Sequence, residues 1–148
     1  MIWSWFPLVA CAHVACDVAA VLAVLRKRDR LASIFVMGSV VVLAGFVTGI
    51  WIDMGRPPLR TYGETRLAYA LGLGVLSLFA HRLLRQSWTL LYGGAMAGLF
   101  VALTWAMPES HSRALMPALR SPWFVPHVTV YLLGYAAATA TSIAALLN

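Results

Sequence analysis

The chain has 148 residues, 61% of them hydrophobic and only 11% charged, with a formal net charge of +6. Soluble domains average roughly 45–50% apolar and about 25% charged residues, so the sixteen charged side chains here (eleven Lys and Arg, five Asp and Glu) cannot cover a water-soluble globule. A soluble domain, a disordered tail and a nucleic-acid-binding module are excluded together, which leaves an integral membrane protein whose basic residues belong to helix ends.

A membrane-crossing helix needs about 20 mostly apolar residues. Five stretches meet that requirement: roughly Ile2 to Leu25, Leu31 to Ile52, Leu67 to Leu84, Trp88 to Met107 and His127 to Leu147. The expected fold is all-α, a single domain over residues 1–148 built as a bundle of five transmembrane helices. Pro57, Pro58, Pro108, Pro117, Pro122 and Pro126 fall in or beside the connections, where proline ends helices. Pro7 suits a first helical turn.

The first stretch reads as a span and not as a secretory signal, because Trp3 and Trp5 stand where a basic region would be. Cys11 and Cys16 lie along one helix that would have to fold back to bridge them, so both read as buried thiols. His13 and Asp17 are four apart on this span and share a face near mid-membrane, where ionisable groups are costly. Such an intramembrane polar pair can relay protons or tune a ligand, or it can be a plain interhelical contact.

The basic run Arg26, Lys27, Arg28 and Arg30 follows directly. The positive-inside rule makes it cytoplasmic, so the N-terminus is expected outside and the C-terminus inside. Residues 53–66 and 108–126 then lie outside, and 81–86 inside. Trp3, Trp5, Trp51, Trp105 and Trp123 fall at outer ends and Trp88 at an inner end, which is either an interfacial belt or an aromatic surface for a flat ligand. Gly45 with Gly49, Gly94 with Gly98, and Gly134 with Ala138 form spaced small pairs that let helices approach closely, within this chain or against a partner.

Among the remaining histidines, His81 reads as a solvated helix-end residue and His111 as a loop residue. His127 opens the fifth span after Pro126 and four residues past Trp123, at the outer face. At 1.5 Å rise per residue, His127 lies about 1–2 Å below its helix end, His13 about 15 Å in and His81 about 20 Å in. No two depths agree, which argues against a self-contained dihaem cytochrome b.

The stretch from Met116 to Ala136, with its Pro-Ala-Leu at 117–119, Ser121, Trp123 and His127-Val128, resembles the segment around the first external histidine of CcsA/ResC-type cytochrome c biogenesis proteins. The segment Gly55 to Tyr69, opening Gly-Arg-Pro-Pro-Leu-Arg, is similar to that family's loop after an early span, in the same order. The resemblance implies haem (b-type, in transit) held at the outer face by two external histidines flanking a Trp-rich loop, for attachment to apocytochrome c. His127 corresponds to the first of these, a haem-iron axial ligand, with Trp123 as a neighbouring aromatic wall. The sequence has no Trp-Asp pair and no histidine after His127, so the resemblance covers only the N-terminal part of the family pattern.

The expected role is therefore one half of a split CcsA-like unit, at most a non-catalytic part of the haem lyase. A partner membrane protein would carry the Trp-rich loop, and the setting would be the lipid of a bacterial inner membrane. The alternative is a transmembrane anchor or quinone-contacting subunit of a respiratory complex, for which His13, Asp17, Arg56, Arg60 and Arg66 would be the relevant residues.

Overall fold

The computed structural model describes residues 2–107 and 123–146, apart from some side chains in the final helix. A short 3-10 turn over Ile2–Trp5 leads into α1 (Phe6–Leu25), followed by α2 (Asp29–Met54), α3 (Tyr62–Leu84), α4 (Trp88–Ala106) and α5 (Phe124–Leu146). No strand occurs among the described residues. The first four helices are long and apolar enough to cross a membrane, and α5 matches α3 in length at 23 residues. His111 and the segment around it lie outside the described residues.

Local chemistry sets the helix ends. Pro7 sits in the first turn of α1, where its missing N–H costs no hydrogen bond. Gly55 closes α2 with φ of +62°, the left-handed conformation that glycine adopts most readily. The helix α3 begins five residues before the predicted Leu67, because Thr61 and Glu64 form a reciprocal capping box. Hydropathy marks only the lipid-spanning part of that helix and passes over its polar first turn.

Short connections force consecutive helices to run antiparallel, and α1 to α4 close into a ring in which each helix packs on both sequence neighbours and α1 meets α4. The fifth helix leans chiefly on α3. Two apolar cores fill the ring. One gathers Phe6, Leu43, Phe46, Ile50, Leu67 and Val101 near the 55–61 connection, and the other Ala20, Ala23, Ala32, Val36 and Leu90 near the opposite end. Trp3 caps the first core edge-on, with ring centroids 5.7 Å from both Phe6 and Phe46.

Between the two cores the helices meet through a waist of small and polar residues. A Cβ added at Gly74 would come within 2.6 Å of Val40, and one at Gly93 would run into Ser77. The Gly94 and Gly98 positions face the Asp17 carboxylate, at 3.6 and 3.4 Å from the same imaginary Cβ atoms. Of the spaced small pairs, Gly94 with Gly98 thus serves packing within the chain, while Gly45 and Gly134 have no such neighbour within 4 Å. Both cysteines are free, and the expectation of buried thiols is corrected for Cys11, which is exposed on the outer circumference of α1.

Candidate functional site

Three features gather at the end of the bundle where α2 finishes and α3 and α5 begin. The first is the 55–61 connection. Glu64, 1% exposed, reaches back from the first turn of α3 and accepts from Arg56 Nη1 at 2.9 Å and Nη2 at 3.0 Å. It also accepts the backbone N–H groups of Arg60 at 2.8 Å and Thr61 at 3.3 Å. One buried carboxylate thus takes four donors and converts a Pro-Pro turn into a fixed wall. Bidentate pairing of this kind is both strong and geometrically selective.

The second feature is an apolar cleft of about 630 Å³ between α2, the 55–61 connection, α3 and α5, with Trp51, Pro58, Tyr69, Phe79 and Leu133 in its lining. The third is the outer face of α5. His127 stands in the first turn of that helix, exposed, with its backbone N–H donating to the Trp123 carbonyl at 3.1 Å. Its ring lies 4.5 Å from Tyr131, and Tyr131 lies 5.9 Å from Tyr135, so residues i, i+4 and i+8 make a row of tilted ring contacts along the helix. At 3.6 residues per turn, Thr129 and Leu133, which line the cleft, sit about 200–240° round from His127. His127 and Tyr131 accordingly stand on the far side of α5 from these cleft residues, with Tyr131 and Tyr135 half exposed and Trp123 79% exposed, while Tyr135 comes near enough to Tyr69 of α3 to interact with it electrostatically.

A separate polar pair occupies the bundle waist. His13 Nε2 lies 3.2 Å from Asp17 Oδ2, in charge contact without a well-aligned hydrogen bond. His13 Nδ1 faces the Ser39 carbonyl oxygen at 3.4 Å. His13 is 1% exposed, which fits the rule that intramembrane ionisable groups turn toward protein.

No protein-family model matches the chain, and no solved structure matches it. Among curated proteins, it is 34% identical over 113 residues to a cytochrome c biogenesis protein CcsA of Synechococcus sp. (strain JA-3-3Ab), covering 74% of this chain and 33% of that protein. Similar relatives of the same name occur in Gloeothece citriformis, 30% identical over 97 residues, and in the plant Cuscuta reflexa, 29% identical over 104 residues. In these two the match covers 64% of this chain and 30% and 32% of the relative. The chain is a partial CcsA-like protein. It spans about a third of the length of the curated relatives it matches.

In this CcsA-like chain, the predicted site residues fall into two groups that the fold keeps apart. His127 and Trp123 share the first turn of α5 and the turn before it, while His13 and Asp17 lie between α1, α2 and α4. Among the described residues no group of three or more His, Cys, Asp or Glu side chains could hold a metal ion. An exposed imidazole at a helix start, in tilted contact with a tyrosine ring, is a residue that could serve as one ligand to a haem iron. His81 directs Nδ1 to the Gln86 carbonyl oxygen at 3.1 Å, a helix-end contact as expected.

Two features were not singled out from the sequence. Glu64 was legible in principle, since Thr61-x-x-Glu64 is a capping-box signature. The tyrosine ladder was also legible, because His127, Tyr131 and Tyr135 recur at a spacing of four.

Proposed function

We propose that this chain works in cytochrome c biogenesis, presenting His127 at the outer membrane face as one axial ligand for haem on its way to apocytochrome c. The observation that carries the reading is the exposed His127–Tyr131 pair on the side of α5 opposite its cleft-lining residues, in a chain that aligns with about a third of each CcsA relative. Bound haem supplies the iron that takes the imidazole and the porphyrin that is attached to the apocytochrome. His127 would hold that iron through its imidazole, the Tyr131 ring would pack against the imidazole, and Trp123, one turn earlier, would offer a flat apolar wall. A partner carrying a Trp-rich loop and the second histidine completes the enclosure against the exposed side of α5.

Orientation belongs to the same reading. The end with Arg26, Lys27, Arg28, Arg30, Arg82 and Arg85 is cytoplasmic, and the end with Trp3, Trp51, Glu64 and His127 is external. Trp51 and Pro58 at the mouth of the cleft share it with Thr129 of α5, which is the support for placing His127 at the same end as the 55–61 connection.

The deciding experiment is co-expression in bacterial membranes with a partner bearing the Trp-rich loop, followed by absorbance spectroscopy of the purified complex. A haem Soret band is expected with the wild-type chain and its loss with His127→Ala, restored by added imidazole. Full haem loading in His127→Ala would overturn the ligand assignment. Labelling of a cysteine placed at Trp123 only from the cytoplasmic side would overturn the topology.

A further inference from the structure

The cleft between α2, α3 and α5 has a shape and a charge at its mouth that the haem reading does not use. Its wall along α3 runs from Ala68 to Phe79, a length of about 16 Å at 1.5 Å per residue, close to the roughly 15 Å depth of one leaflet's share of a 30 Å hydrocarbon core. Val75 and Phe79, 51% and 63% exposed, form its lip, so the cleft opens sideways into the bilayer. No atom lies within 4 Å of where a Cβ at Gly72 would stand, so the floor is open there.

The 55–61 connection closes the upper end of the cleft, and the cations in it and in the first turns of α3 are unequally committed. Arg56 is held by Glu64, and Arg66 donates to the Leu103 carbonyl at 3.4 Å. Arg60 follows Leu59, a wall residue, and makes no ion pair among the described residues. Its Nε is buried with no hydrogen-bond partner. We propose that the cleft is a binding site for one anionic phospholipid, with an acyl chain along α3 and its phosphate held by Arg60. An apolar trough one leaflet deep, with a cation unpaired among the described residues next in the chain to its wall residue Leu59, matches a hydrocarbon tail joined to an anionic head.

Native mass spectrometry of the full chain in detergent, equilibrated with equal amounts of phosphatidylglycerol and phosphatidylcholine, tests this. The wild type is expected to retain the anionic lipid about fivefold more, the preference that one cation near the membrane surface gives. Arg60→Gln should equalise the two lipids while keeping total binding. Gly72→Leu, which fills the open floor, should lower retention of both. Val75→Trp fills the same space from the lip and must give the same loss, which keeps the test decisive if Gly72→Leu fails to fold. Equal retention of both lipids by the wild type, wild-type binding by the two filling variants, or displacement of the phospholipid by an equal amount of isoprenoid quinone would each overturn the assignment.

Discussion

Removing the Glu64 carboxylate is the most informative single perturbation of the site end of the bundle. Glu64→Ala strands the Arg56 guanidinium and two backbone N–H groups, since all four donors converge on that one side chain. Breaking a buried pair by deleting one partner costs about 3–5 kcal/mol. The Arg56 side chain is 19% exposed and can turn partly to water, which reduces that to about 2 kcal/mol on the same scale. Loss of the hydrogen bond that the Thr61 N–H donates to Glu64, its half of the capping box, adds about 1 kcal/mol. The expected total of about 3 kcal/mol is a roughly hundredfold change in the folded-to-unfolded ratio. Unfolding in mixed micelles titrated with dodecyl sulfate, followed by tryptophan fluorescence, measures it. Combining Glu64→Ala with Arg56→Gln gives a double-mutant cycle in which the pair should couple by more than about 1 kcal/mol. A cost below about 1 kcal/mol, with no coupling in the cycle, refutes the view that this carboxylate organises the 55–61 wall.

The same assay checks three other expectations. Gly93→Ala should destabilise by about 1–3 kcal/mol, because the added methyl meets the Ser77 side chain and leaves only 3.2 Å to the Leu73 carbonyl oxygen. Asp17→Asn keeps the shape of the waist and replaces the carboxyl by a neutral amide, so it should be neutral to within about 1 kcal/mol; His13→Ala removes the partner of the carboxyl and leaves a void, and should cost about 2–4 kcal/mol. Arg85 ends α3 with φ of +53°, so Arg85→Gly should stabilise by about 0.5–1 kcal/mol, read as a higher unfolding midpoint.

The helices themselves were readable from hydropathy, since long apolar runs separated by proline and charge leave a membrane chain few alternatives. Their ends were less so. The predicted third span omits residues 62–66, because Glu64 and Arg66 look like loop residues until Thr61 is seen to cap them. The fifth helix starts at Phe124 and not at His127, which puts the imidazole inside the first turn and brings Tyr131 into register beneath it. The contact between His13 and Asp17 followed from their spacing of four. Its setting did not, because only tertiary packing reveals that Gly94 and Gly98 of another helix make room for the carboxylate. The cleft was invisible for the same reason: it is built by four segments distant in sequence, none of which carries a motif for it.

The arrangement of α5 has a consequence for how such a protein grows. The first four helices pack on one another as a closed quartet, whereas the fifth leans chiefly on α3. New membrane segments can be appended along its free flank without reopening the quartet's interior.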